Sequence, residues 1–258
     1  MDEPNALEPC VLLEWDSEFW GFPIAQVVGG KLSNGMNAAI NTWSTQHSIK
    51  CLYLLAAPED ATTARSAGNH GYRLVDERVT LGWFAPAQPA LCTRGLPAGI
   101  IIRSSRPEDL PALQAIAWSS HIETRFFVDP AFPKDQARAL YAQWISASCT
   151  GFADLVLVAL LQGEVVGYCS CHRPTNCSFP GRIGLLAVAP AARGNGVARS
   201  LVEQALEWFV QEGAAHVTVV TQGRNDAALT LYRRCGFTVE TRMHWYHRWF
   251  SEQVDERL

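Results

Sequence analysis

The stretch VAPAARGNGVARSLVEQAL, Val188 to Leu206, decides how this chain is read. Two glycines, Gly194 and Gly196, stand between an apolar run and a helix-like run. Ahead of them RIGLLAVAP has the composition of a buried strand. Behind them Leu201, Val202, Ala205, Leu206 and Phe209 recur at helical spacing, with Gly213 as a stop. A helix that starts there leaves backbone N–H groups unpaired and carries a partial positive charge, so it suits an anion. A P-loop would need a lysine after the second glycine, and none is present. A dinucleotide loop would need a third glycine where Arg199 stands, and an acid at the end of the next strand, which closes on Thr221 and Gln222 instead. The form [RQ]-x-x-G-x-[GA] is met at Arg193, Gly196 and Ala198. Small residues at the last two positions let a pyrophosphate approach the amides; a tight turn with no ligand is the competing reading.

The rest of the chain bounds the answer. It has 258 residues, 48% of them hydrophobic, and a net charge of −4 with scattered basic residues. That charge argues against nucleic acid as a partner. No apolar run approaches the roughly 18 residues of a membrane helix, and MDEPNALEPC is too acidic and polar for a secretory leader. The eight cysteines are therefore read as reduced thiols of a cytoplasmic protein. Cys169, Cys171, His172 and Cys177 form a C-x-C-H-x4-C cluster. Zinc sites favour C-x2-C, where one turn presents both thiolates. Here VVGYCSCHR reads as a strand with Cys169 and Cys171 on one face, so buried thiols and no metal are expected.

FAPAQPALCTRGLPAG has neither helical nor strand period and reads as a linker over residues 86–99. It divides the chain into residues 1–85, a smaller α/β domain, and residues 100–250, followed by a tail over 251–258. The second part reads β-α-α-β-β-β-α-β-α-β, with a hairpin signal at QGE and a short helix NDAALTLYRRCGF capped by Asn225 and stopped by Gly236. This order implies an α/β fold with a mixed sheet flanked by helices. In the first part CVLLEW and FPIAQVV read as strands. GYRLVDERVTLGWF faintly echoes GFTVETRMHWYHRWF, as a degenerate half-copy would, or as chance would. Trp245, Tyr246, Trp249 and Phe250 crowd the last strand. They serve either a homodimer surface or core closure.

Three features in order, GLLAVAP, ARGNGVARSLVEQAL and NDAALTLYRRCGF, resemble the GNAT acetyltransferases over about residues 100–250. The resemblance implies acetyl-coenzyme A as cosubstrate. It implies that Leu186, Ala187 and Val188 meet the pantetheine arm and that the amides of Arg193, Gly194, Asn195, Gly196, Val197 and Ala198 hold the pyrophosphate. Asn225 would face the pantetheine, and Tyr232 the thioester sulfur. Acyl transfer to an amine needs a neutral amine, a stabilised carbonyl oxygen and a proton for the leaving thiolate. A phenol with an ordinary pKa of about 10 can supply that proton uncharged. His121 and Glu123 in SSHIETRFFVD are candidates for the base, and Arg125 for an anion contact.

LEWDSEFWGFPIAQV and HIETRFFVDPAFPKDQARALYAQWISASCTGFADLVLVA resemble bacterial dTDP-4-amino-4,6-dideoxygalactose (dTDP-fucosamine) acetyltransferases. That resemblance implies a small-molecule acceptor, the amine of a nucleotide-linked 4-amino sugar destined for polysaccharide. Another amine (a peptide N-terminus, a polyamine, an aminoglycoside or a natural-product amine) and a non-catalytic acetyl-coenzyme A sensor are the alternatives.

Overall fold

Gln162 and Gly163 both take positive φ, 54° and 89°, and turn strand β6 (Leu155–Leu161) into β7 (Glu164–His172), the hairpin expected at QGE. The structure is a computed structural model that describes residues 8–85, 97–173 and 180–250. The tail 251–258, most of the expected linker, Cys92 and Cys177 lie outside the described residues. Two compact units form. One runs up to Arg78 and resumes at Arg242; the other runs from Val79 to Thr241. These units cut the chain differently from 1–85 and 100–250, because the last strand pairs with an N-terminal one.

The first unit contains β1 (Cys10–Leu12), α1 (Glu14–Trp20), β2 (Ile24–Val27), α2 (Asn34–Gln46), β3 (Cys51–Ala56) and α3 (Ala61–Asn69). It also holds the start of β4 (Arg73–Phe84) and the end of β10 (Thr238–Trp249). β2 lies antiparallel to β1 and parallel to β3, and β10 lies antiparallel to β3 with Tyr246 opposite Leu54. The strand expected at CVLLEW stops at Leu12, and α1 begins at Glu14. Ser17 explains the change: its hydroxyl donates to the Leu13 carbonyl and accepts the Ile24 N–H, while Gly21 at φ 81° ends the helix. The aromatic group of β10 is used inside this unit. Tyr246 and Phe250 join Leu52, Leu54 and Trp43 in the core, and Trp249 lies 5.3 Å from Phe22. This is the core-closing one of the two readings.

In the second unit β5 (Ile100–Ser104), β6, β7 and β8 (Gly181–Val188) form an antiparallel ladder, and β9 (His216–Gln222) adds in parallel to β8. Between β5 and β6 lie α4 (Leu110–Ser120), the single turn α5 (Arg125–Val128) and α6 (Lys134–Ala147). Between β8 and β9 lies α7 (Val197–Gln211), and α8 (Asp226–Arg234) follows β9. The expected order thus appears with α5 added. The expected stripe of α7, Leu201 to Phe209, is buried against Cys169, Cys171 and Val217.

The echo between GYRL and GFTV has a local physical basis. Gly71 and Gly236 take φ 76° and 89°, and the N–H groups of Tyr72 and Phe237 bond the carbonyls of Ala67 and Tyr232. Both are the glycine-terminated ending of a helix that feeds a strand. No helix among the described residues is long and apolar enough to cross a membrane.

Candidate active site

β8 is paired on both sides only at its start. Its parallel pairing with β9 covers Gly181 to Ile183 and ends there. Toward β7 the ladder continues, with Ala187 opposite Tyr168, and Ala189 donates to the Val166 carbonyl at 2.8 Å. Backbone groups of an antiparallel strand alternate in direction. Ala187 and Ala189 therefore face β7, and Leu186 and Val188 turn their amides and carbonyls to the side that β9 has left. Ala187, expected beside them at the pantetheine arm, turns its backbone to the ladder with β7. The Ser170 hydroxyl accepts the Leu185 N–H at 2.8 Å, at a bulge between Cys169 and Cys171 that starts this open edge.

The loop after β8 leads straight into α7. Gly194 and Gly196 take φ 82° and 81°, the left-handed region in which a Cβ is strained. Gly196 is the residue before the first turn, and no side chain caps the helix. The N–H groups of Gly194, Asn195, Gly196, Val197 and Ala198 find no acceptor among the described residues. Arg193 departs from the expectation, because its N–H is taken by the Pro190 carbonyl at 3.3 Å. Its side chain instead donates through Nε to the Val188 carbonyl, tying the loop to the strand end. A cleft of about 570 Å³ opens here. Val188, Gly194, Gly196 and Ala198 line one side, and Thr230 and Arg234 of α8 line the other. Orphaned amides at a helix start, with small residues before them, are what a pyrophosphate needs.

Asn225 sits at the start of α8, where its side chain accepts the Ala228 N–H at 3.1 Å. That oxygen caps the helix, which leaves it committed to the fold. Tyr232 is buried in the core, 5.5 Å ring to ring from Phe237. Burial pushes its phenol well above the ordinary range, with Cys169 and Cys235 adding to the effect. The phenol therefore stays neutral at any working pH. Tyr232 belongs to the same core cluster as Cys169, which lies opposite Leu186 in the ladder.

His121 follows α4. The Ser120 hydroxyl donates to the Val188 carbonyl at 3.5 Å, which brings this helix end to the open strand. Nε2 of His121 lies 2.8 Å from the Tyr168 hydroxyl, and its ring stacks on Tyr141 at 4.5 Å. Burial lowers the imidazole pKa to about 4, and burial also raises that of the Tyr168 phenol. Glu123 is exposed, and the Arg125 guanidinium lies 4.6 Å above the Phe126 ring. Neither residue lines the cleft, and neither do Leu186, His121, Asn225 or Tyr232. Tyr168, Tyr141 and Ser120 were not singled out by sequence. The alternation that puts Cys169 and Cys171 on one face was the available signal for Tyr168, since it assigns that residue to the other. Those two thiols are buried with sulfurs 3.9 Å apart, and the contact with Cys169, then burial, drives the Cys171 thiol far up. Among the described residues no three His, Cys, Asp or Glu side chains are grouped to hold a metal.

Comparison with known proteins agrees with this geometry. Residues 112–237 match the acetyltransferase (GNAT) family. The chain is 33% identical over 149 residues to the spore coat polysaccharide biosynthesis protein SpsD of Bacillus subtilis, covering 57% of this chain and 50% of that protein. It is 34% identical over 142 residues to the dTDP-fucosamine acetyltransferase of Escherichia coli, covering 54% of this chain and 59% of that one. The chain thus spans about half the length of the curated relatives it matches. Among solved structures, a GCN5-related N-acetyltransferase from Sphaerobacter thermophilus superposes with a TM-score of 0.69 at 18% identity, over 95% of this chain and 78% of that one. The glycine-started helix, the half-paired strand and the matched segment converge: from residue 112 to 237 this chain is an acetyltransferase (GNAT) family domain.

Proposed function

We propose that the chain transfers an acetyl group from acetyl-coenzyme A to the primary amine of a nucleotide-linked 4-amino-4,6-dideoxyhexose, in the cytoplasm and with both substrates bound together. The observation that carries the donor half is the uncapped start of α7 opening onto the unpaired edge of β8. Amides from Gly194 to Ala198 would hold the pyrophosphate, and the backbone of Leu186 and Val188 would hold the pantetheine. Bound there, the donor supplies an activated thioester. The Val188 N–H, turned to the open side, stabilises the carbonyl oxygen as it gains charge. Tyr232, kept neutral by burial, supplies a proton to the departing thiolate. Arg193 fixes the strand end through the Val188 carbonyl. The acceptor half rests on the two relatives named for polysaccharide biosynthesis and fucosamine acetylation.

Release of coenzyme A thiol tests the reading, with acetyl-coenzyme A as donor and dTDP-linked 4-amino and 3-amino dideoxyhexoses, spermidine, an aminoglycoside and a short peptide as acceptors. Rapid release with a 4-amino sugar alone is expected. Release only with another amine would keep the donor and discard the sugar. Donor binding without any release would favour a sensor. Tyr232→Phe is expected to cut turnover about 100-fold while leaving donor affinity within twofold.

A further inference from the structure

For an amine that arrives neutral, having left its first proton to solvent, the mechanism above leaves one proton unassigned, the one its nitrogen must lose on acylation. We propose that His121, held by Tyr168, is the group that takes it; this rests on the acetyl-transfer reading above. Three observations place the pair. Ser120, the residue before His121, touches the Val188 carbonyl on the open stretch of β8. Tyr168 stands directly opposite Ala187, between the two presented residues Leu186 and Val188. The side chains of Cys169 and Cys171 pack with α7, so Tyr168 projects from the opposite face of the sheet, where it meets His121 beyond α4 and where Tyr141 of α6 backs the imidazole. The cleft at α7 and α8 occupies one face, and the pair occupies the other. A donor held along the open edge would have its carbonyl between them, and an amine from the α4 face would reach His121.

The chemistry of the pair is constrained. Burial keeps the imidazole neutral, and among the described residues no charged side chain shifts it. The groups packed on it are the phenols of Tyr141 and Tyr168. In the proposed tautomer Nε2–H is donated to the Tyr168 oxygen, 2.8 Å away, and Nδ1 carries the lone pair. As the amine nitrogen bonds the acetyl carbon and the carbon–sulfur bond breaks, the nitrogen's proton passes to Nδ1. The sulfur takes the proton of Tyr232. Return of the proton from His121 to solvent and reprotonation of Tyr232 close the cycle. A nitrogen already joined to the acetyl carbon gives up its proton readily, so a weak base is sufficient. Tyr168 is a positioning residue: its hydroxyl holds the imidazole at Nε2.

The test uses the full chain in two ways. Histidine-labelled wild-type protein with acetyl-coenzyme A bound is examined by nitrogen NMR. His121 is expected to be neutral at pH 7 with Nδ1 unprotonated. In the amine assay His121→Gln is expected to lose at least 100-fold in kcat with donor affinity within twofold, and imidazole in the buffer is expected to restore part of the rate of His121→Ala. Tyr168→Phe should lose about tenfold in kcat and show mixed tautomers. Protonated Nδ1 in the wild type, or His121→Gln turning over within threefold of the wild type, overturns the assignment. If no amine in the panel is acetylated, the acceptor reading fails separately, and the NMR result still decides the pair: a bare Nδ1 keeps it and a protonated Nδ1 removes it.

Discussion

The starts of α2 and α7 are the same local construction put to opposite uses. Each helix joins a strand to a parallel partner, β2 to β3 and β8 to β9, and each partner leads on to another helix and strand. At α2 the hydroxyl of Ser33 accepts the Met36 N–H, so one amide of the helix start is satisfied from within. β2 is paired with β3 over three of its four residues, and a Cβ on Gly30 would lie 2.6 Å from the Leu55 carbonyl oxygen. The first unit closes that corner. At α7 a glycine stands where α2 has its serine, and β8 keeps its partner over three of eight residues. An unsatisfied helix start has a cost in stability, and a ligand that satisfies it gains what the fold gave up.

Giving α7 a cap is the strongest way to break this contrast. Gly196→Asp places a carboxylate where the amides wait, and it repels a pyrophosphate. Loss of two or more charge-assisted hydrogen bonds, together with the repulsion, amounts to about 4 kcal/mol. Acetyl-coenzyme A affinity by calorimetry is then expected to fall about 1000-fold. The variant should melt within a few degrees of the parent, because aspartate tolerates the left-handed region better than most residues. A loss below tenfold would mean that the amides of α7 are not the anchor.

The next effect is on stability and concerns the proposed acceptor side. The His121 pKa is lowered to about 4 by burial, against about 6.5 for an unfolded histidine. Between those values the unfolded chain holds a proton that the folded chain does not, so stability falls as pH drops from about 6.5 to about 4 and levels off below. The full contribution is roughly 3 kcal/mol. Urea unfolding at pH 7 and pH 4.5 should show most of this loss in the wild type and none of it in His121→Gln. Equal losses in both proteins would show that the imidazole is solvated.

A smaller effect probes how α7 seats on β8 where the strand is still paired. A Cβ on Gly181 would lie 2.7 Å from the Phe209 ring, and Gly181 opens the register with Val217. Gly181→Ala should destabilise the protein by about 2 kcal/mol through overpacking. Donor affinity should change little, since the open edge begins beyond Ile183.

What could be read in the sequence was local. The glycine loop, the QGE hairpin, the stripe of α7 and the cap at Asn225 each depend on residues within a turn or two, and each stands where the sequence put it. What could not be read joins distant residues. The His121–Tyr168 bond spans 47 positions, and no spacing rule connects the end of α4 to the middle of β7. The helix at Glu14–Trp20 turns on the Ser17 bond to Ile24, seven residues on and across a turn, whereas aromatics and an apolar start had suggested a strand. The return of β10 to the first unit depends on Arg248, whose guanidinium donates to Asn37 and Asn41 of α2 and lies over Tyr72 and Phe250. A lone arginine in a terminal strand gives no hint of partners more than 200 residues earlier. Arg193 and Asn225 teach a related point: a motif identifies a residue without saying whether its backbone, its side chain or neither is left for a ligand.

The smallest expected effect sharpens the contrast from the closed side. Ser33→Ala removes the one side-chain acceptor at the start of α2 and should destabilise the protein by about 1 kcal/mol in urea unfolding. Acetyl-coenzyme A affinity should remain within twofold, because the one amide it frees, that of Met36, follows a strand that is still paired to its partner. The two helix starts then separate the two costs cleanly. Removing a cap from α2 lowers stability and leaves binding alone, while adding one to α7 abolishes binding and leaves stability nearly alone. If Ser33→Ala instead gave a second, weaker anion site, a free helix start would be sufficient for binding and the open edge of β8 would contribute little. If it gave none, the helix start would be necessary but insufficient, and the early divergence of β9 from β8 would be the feature that turns an ordinary strand–helix–strand corner into a binding cleft.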